Sequence, residues 1–368
     1  GSAGAIVSVQ DYNNTFDSNA LTVSPNGSEK INSGAGSIAL ASEGEGLTLV
    51  YIDGTVGWRS IHQSVFTDIG TNAEYVAATG GTVLTNGNFK THIFTGPGTF
   101  CVSGAGNADG SNTVDYVVVA AGGGSTGGGC QKGGGGAGGF RLSNSVGCMP
   151  APTMSPLVSP SGLPVGVAGY PVTVGGGSPG GTGSDSVFAG TTTITSAGGG
   201  LAPAGAGGSG GGGGPNGASG GAGNTPPVSP SQGNNGGTGA YAAPNYGTGG
   251  GGGAGAVGAN SGTSSGGGNG GDGSFISDNF IGPTAPSYGT PGPTPNTRYF
   301  AGGGGGGAED AGAKGTGGAG GGGTAVPNGQ PTSQPGTVNT GGGGGDANNL
   351  SSNTSGGSGI VMIRYKFQ

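Results

Sequence analysis

From Gly122 to its end the chain is broken by runs of consecutive glycines, among them 133–136, 198–200, 210–214, 249–253, 302–307, 320–323 and 341–345. No other feature restricts the fold as much. A glycine run has no side chain to bury, and ordering each residue costs about 1–2 kcal/mol of backbone entropy. Such a chain either stays a flexible linker or folds through its backbone. A polyproline-II-like helix offers the second route: it has three residues per turn and no internal hydrogen bonds, so every N–H and C=O is free to bond a neighbouring helix. Without Cβ atoms the helices approach closely enough for N–H···O bonds and weak Cα–H···O contacts. Glycine shows no strict Gly-X-Y period and proline numbers only 23, which rejects collagen.

Three features favour order. The runs are many and similar in length, as struts would be. The inserts between them, such as 141–174, 225–247, 275–300 and 324–340, carry Pro throughout and Phe, Tyr or Ile in several, with none of the Glu of a solvated linker. The sequence also closes on Gly359-Ile-Val-Met-Ile-Arg-Tyr-Lys-Phe367, a strand pattern with Val361, Ile363, Tyr365 and Phe367 on one face, which needs an apolar partner. Tyr116–Ala121 is the obvious one.

The distribution is uneven. Only 18 of the 102 glycines fall in residues 1–121, and that third also holds ten acids against Lys30, Arg59 and Lys90. Beyond it, six acids balance six bases, so the whole net charge of −7 belongs to the first third. With 30% hydrophobic and 7% charged residues, the chain fits neither a conventional enzyme core nor a charge-solvated disordered tail. No basic cluster exists, so a nucleic-acid partner is not expected. No stretch nears 18 apolar residues and the first 30 residues lack a leader pattern, so membrane insertion is not expected either.

The first third reads as short strands. Leu47–Ile52 leads into the turn Asp53-Gly54 and a return strand over 55–62. Phe89–Phe94 alternates, Gly96-Pro97-Gly98 turns, Thr99–Val102 is expected to pair back on 89–94, and Val114–Ala120 follows. No helical periodicity is present. Trp58 and Phe94 are expected in the core. The expected fold class is all-β plus irregular: a β module over 1–65, a connector over 66–88, and a glycine-rich domain over 89–368. In that domain, strands in 89–121 and 359–367 bracket a polyglycine-II-type helix lattice with protruding loops at 122–358.

The search for chemistry returns little. Gly-x-Ser-x-Gly at 207–211 and 217–221 lacks a strand-to-helix elbow, and the only histidines, His62 and His92, lie far upstream. No Gly-Lys-[Ser/Thr] follows a glycine loop, which removes nucleotide hydrolysis. Glu43/Glu45 and Glu309/Asp310 are carboxylate pairs that solvated turns explain better than glycosidic cleavage. Asp272, Asp278 and Asp346 satisfy turns more readily than they bind calcium. Cys101, Cys130 and Cys148 have no metal spacing; they are either three thiols or include a Cys130–Cys148 bridge. Neither enzyme activity nor a cofactor is expected.

Aromatic residues point to binding. Tyr241, Tyr246, Phe275, Phe280, Tyr288, Tyr299 and Phe300 lie in glycine-poor inserts among Pro, Asn, Ser and Thr, the mixture that recognition loops use. Such rings serve either as contact residues or as caps closing the glycine layers. Phe275 and Phe280, each followed by isoleucine, read as caps; Tyr241, Tyr246 and Tyr288 read as exposed. The expected contact set is Tyr241, Asn245, Tyr246, Tyr288, Tyr299 and Phe300.

The order of segments carries a resemblance. His92-Ile-Phe-Thr-Gly-Pro-Gly-Thr-Phe100, Val114-Asp-Tyr-Val-Val-Val-Ala-Ala-Gly-Gly-Gly124, Gly133-Gly-Gly-Gly-Ala-Gly-Gly-Phe-Arg141, Tyr170-Pro-Val-Thr-Val-Gly175, Thr193–Gly200 and the closing Gly356–Tyr365 follow one another. Over roughly residues 90–368 the chain resembles the glycine-rich domain of phage tail-fibre and receptor-binding proteins of the marine-phage type. More distantly it is similar to the polyglycine tip adhesins of T-even-type phages. The segment Leu47–Arg59 resembles a β unit that often precedes such domains. The resemblance implies an extracellular virion protein, a homotrimer, that contacts other tail or fibre proteins and a host-surface receptor, either a glycan or an outer-membrane protein. The alternative is a structural decoration or extracellular filament protein that binds no receptor.

Overall fold

The computed structural model describes residues 1–65, 73–108, 110–128, 132–145, 154–262, 266–309, 312–326, 334–347 and 353–368. The chain forms two compact units, Gly1–Ala73 and Glu74–Gln368.

The first unit has strands β1 (Ile6–Gln10), β2 (Leu21–Val23), β3 (Ile38–Leu40), β4 (Glu45–Asp53) and β5 (Gly57–Val65). β4 pairs antiparallel with β1 and β5, and β2 pairs with β3. The β4–β5 turn forms because the Asp53 carboxylate accepts the N–H groups of Thr55 (2.8 Å) and Val56 (2.7 Å), closing the Asp-Gly corner read from the sequence. Ile31, Leu40, Leu47 and Leu49 are buried, and Trp58 packs half-buried against them.

The second unit contains β6 (Val76–Thr79), β7 (Thr82–Asn86), β8 (Phe89–Phe94), β9 (Gly98–Ala105), β10 (Thr113–Val119), β11 (Phe140–Ser143), β12 (Val158–Ser159), β13 (Leu163–Pro164), β14 (Ala168–Thr173), β15 (Ser186–Ala189), β16 (Thr193–Ser196), β17 (Ser274–Ser277), β18 (Thr297–Phe300) and β19 (Ile360–Lys366). Among the described residues helix is limited to the four-residue α1 (Asp278–Ile281), capped by the Ser277 side chain, and one 3₁₀ turn. β6 and β7 fall within the stretch read as a connector, and both are sheet members. One sheet runs β12-β11-β10-β19-β8-β7 and another runs β16-β15-β14-β9-β6. As expected, the terminal strand pairs with β10, with Tyr116 opposite Ile363 and Val118 opposite Val361. The expectation that 99–102 pairs back on 89–94 is corrected: β9 joins β6 and β14 in the second sheet, while β8 lies between β7 and β19.

Burial explains that arrangement. Phe94, Val118, Val361, Ile363 and Tyr365 of one sheet face Phe100, Tyr170 and Phe188 of the other. On the opposite face of the first sheet, Val117, Phe140, Ile360 and Met362 pack on Ile276, Phe280, Ile281 and Phe300. β10 and β19 are therefore covered on both faces, which accounts for their near-continuous apolar sequence. Within the sheet, His92 Nδ1 lies 2.7 Å from the Gly80 carbonyl and Nε2 lies 3.0 Å from the Tyr365 hydroxyl. The carbonyl can only accept, so Nδ1 carries the proton and Nε2 accepts from tyrosine. Burial lowers the affinity of this imidazole for a second proton.

The glycine runs carry no helix or strand, yet they are buried. Their donors rotate with a period of three residues. Gly134 and Ala137 donate to Gly249 and Gly252, Gly135 and Gly138 to Gly344 and Gly341, and Gly136 and Gly139 to Gly200 and Ala197, all at 2.8–3.1 Å. Their carbonyls accept from three further directions: Gly212 and Ser209, then Gly304, then Gly123 and Ala120. Gly249–Ala254 repeats the rule, donating in turn to the segments at 210–213, 256–259 and 301–304. Only glycine permits this spacing at the centre. A Cβ built on Gly135 would overlap the Gly123 carbonyl, and one on Gly251 would overlap the Gly135 carbonyl.

These bonds also give the runs a common orientation. At one end they continue into strands: Ala120 follows β10, Gly139 enters β11, Gly273 enters β17, Ala301 leaves β18 and Gly359 enters β19. At the other end, where Thr248 N–H meets the Gly307 carbonyl, they give way to loops.

Candidate functional site

The residues that follow Gly214, Ala240 and Ala308 meet at the loop end. The turn 241–246 joins Ala240 to Gly247, whose backbones bond at 2.8 Å. Within it the Tyr246 N–H reaches the Ala242 carbonyl at 2.9 Å, and Tyr246 takes φ +38°, left-handed backbone that bulky residues rarely adopt. Strain of that kind persists only where the surroundings hold it, and it clusters at functional sites. The tyrosine rings contact each other, with centroids 5.7 Å apart and planes at 59°. Tyr241 is 78% exposed. The Asn245 carbonyl accepts the Glu309 N–H at 2.7 Å, which docks the second loop on the first. Pro215 and Asn216 complete a cleft of about 310 Å³ lined with Tyr241, Tyr246 and Glu309.

Three of the six expected contact residues, Tyr241, Asn245 and Tyr246, are therefore brought together. The other three lie at the strand end. Tyr299 is 5% exposed, stacks obliquely on Phe275 and shares a 2.8 Å hydrogen bond with Thr294. Phe300 is fully buried in β18 and belongs to the core with Phe280. Tyr288 is half-buried against that core, and its carbonyl accepts from Arg298. The sequence-based grouping of these rings with Tyr241 and Tyr246 is thus corrected: the β17–β18 hairpin turns at the opposite end of the glycine runs.

Pro215 and Asn216 were missed, and Glu309 was weighed only as half of a carboxylate pair; its neighbour Asp310 lies outside the described residues. A usable signal existed, because each lies within two residues of the end of a glycine run. Two of the remaining carboxylates, Asp346 and Asp272, accept backbone N–H groups. Asp346 is buried and accepts the N–H groups of Gly133 and Gly307 at 3.0 Å and the Thr248 hydroxyl at 3.0 Å. Asp272 accepts from the Ala319 N–H at 2.8 Å. Ser209, the centre of one Gly-x-Ser-x-Gly match, is buried within the glycine runs. Among the described residues no His, Cys, Asp and Glu side chains gather as a metal-ligand set. Cys101 is exposed in β9, and the Cys130–Cys148 pair lies outside the described residues.

No significant match was found among curated proteins or solved structures. A family match does exist, to the glycine-rich domain, over residues 95–366, which takes in β9 to β19 and all the glycine runs. The chain therefore belongs to the glycine-rich domain family.

Proposed function

We propose that the protein is a phage tail-fibre or receptor-binding protein that presents loops on a rigid scaffold of polyglycine-II-type helices for attachment to a host surface. The three-residue rotation of donors around each run supports the helix type, since a three-fold helix turns its N–H groups through three directions. Glycine Raman amide bands and carbonyl ¹³C shifts at polyglycine-II positions would bear this out; strand-like values for 133–139 and 249–254 would reject it.

The contacting Tyr241–Tyr246 pair, with Tyr241 exposed and Tyr246 half-buried on a strained turn at the end of backbone-bonded runs, carries the attachment reading. A rigid base lowers the ordering cost of the loops on binding, so weak contacts add up when several copies engage. Sparse charge limits nonspecific ionic adhesion. The partners are then a host-surface receptor and other virion tail proteins, and the locus is the extracellular tip of a homotrimeric fibre. Electron microscopy of virions decorated at the loop end tests this. A free distal loop end is expected, and the double substitution Tyr241→Ala/Tyr246→Ala should reduce adsorption at least tenfold while leaving the melt unchanged. A loop end buried in a polymer, with adsorption unaffected, would instead favour a structural decoration or filament protein.

A further inference from the structure

We infer that the cleft between the loops is a receptor subsite for a primary ammonium on an aliphatic stem, the chemistry of a lysine side chain on a partner protein's surface; this rests on the attachment reading above. Three observations carry it.

The first is the shape of the aromatic surface. A sugar ring stacks on one flat open face, whereas Tyr241 and Tyr246 contact each other with planes at 59° and both line the cleft, so they share no common flat face. A cation within about 6 Å of such ring centroids is attracted by the ring quadrupole.

The second is charge. Glu309 is the one charged group among the described lining residues, and its carboxylate makes no hydrogen bond or ion pair with another described residue. The nearest cation in sequence, Lys314, directs its ammonium to the Ala308 carbonyl. A carboxylate beside two aromatic faces is complementary to a cation and adverse to an acidic glycan.

The third is hydrogen-bonding capacity. The Asn216 side-chain oxygen already accepts the Ala218 N–H at 3.2 Å and retains one lone pair, and Glu309 offers acceptors only. Both oxygens can accept from an ammonium, and the Glu309 carboxylate adds a charge attraction that a neutral polyol does not gain. They also distinguish a primary ammonium, with three donors, from a quaternary headgroup that has none. Pro215 supplies the apolar wall for the stem.

The test is titration of the full chain, with ring-¹³C tyrosine, by Nα-acetyl-lysine N-methylamide followed by NMR. The Nε-acetylated analogue serves as neutral control, and choline and glucosamine as competing chemistries. Expected are shifts confined to Tyr241 and Tyr246, at least fivefold weaker binding of the neutral analogue, and about fivefold weakening by Glu309→Gln, as for an exposed ion pair. Equal binding of charged and neutral lysine analogues, tighter binding of choline or glucosamine, or an unchanged affinity in Glu309→Gln would overturn the inference. Loss of adsorption in the double alanine variant without any ammonium binding overturns the cation subsite and leaves the attachment reading standing. Ammonium binding with undiminished adsorption supports the subsite and removes it from host attachment.

Discussion

Within Glu74–Gln368, two halves of one unit reach full burial by opposite means. In the sheets, Phe100, Phe188 and Tyr365 interlock as side chains, with ring centroids about 6 Å apart. In the glycine runs, Gly135, Gly251 and Gly304 are equally buried, and what they touch is one another's peptide groups. The sheets gain by removing apolar area from water, and they tolerate small changes of shape. The runs gain by pairing buried amides with neighbours in three directions at a spacing that admits no Cβ. Side-chain packing is therefore graded in its response to substitution, while backbone packing is close to all-or-none.

The largest effect should come from breaking the runs. Gly135→Val sets a rigid branched side chain against the Gly123 carbonyl and should cost more than about 5 kcal/mol, enough to abolish the cooperative melt of the second unit. Gly176→Ala, at an open position with nothing near its Cβ, should stay within about 1 kcal/mol in the same calorimetric scan. Similar costs at both positions would show that the runs are not tightly apposed.

Breaking the sheets should come next. Phe100→Ala removes a fully buried ring from between the two sheets and should cost about 3–5 kcal/mol in urea unfolding, leaving a destabilised but cooperative unit. A loss as complete as that of Gly135→Val would erase the distinction drawn here.

The smallest effect sharpens the comparison through pH. Burial holds His92 neutral in the folded sheet, with its folded-state proton affinity depressed. The unfolded chain takes up that proton near pH 6.5, so below this value the unfolded state binds more protons and stability falls. The slope is at most about 1.4 kcal/mol per pH unit, and it ends once the pH passes below the folded value. Stability is fully present above pH 6.5. The second unit should therefore melt lower at pH 5 than at pH 7.5, and His92→Gln should flatten the difference. An unchanged slope in that variant would assign the acid sensitivity elsewhere.

Much of this is legible in the sequence. The alternation of Phe89–Phe94, the Asp53-Gly54 turn and the apolar terminal strand each report a local rule, and the structure places strands there. The pairing of β10 with β19 was legible because two strands lacking polar faces need each other. The destination of β9 was not, because its hairpin-like Gly-Pro-Gly corner is equally compatible with a crossing to a second sheet. Aromatic residues in glycine-poor inserts stand out in the sequence, and two of them, Tyr241 and Tyr246, line the cleft. Whether an insert lies at the strand end or the loop end depends on the direction of its flanking runs, and glycine sequences carry no mark of direction.

By itself, then, the sequence determined that the second unit had to be built from its backbone, since so much of it has no side chain to pack. It also determined which segments could be strands, because β-branched alternation and turn chemistry act over a few residues. Tertiary structure alone decided which run lies beside which, and so which loops share an end. That choice sets Tyr241 and Tyr246 beside Glu309 and sends Tyr299 and Phe300 into the core. The physical reason is that neighbouring runs recognise each other through identical peptide groups, so their register and order are fixed by the strands and loops that terminate them.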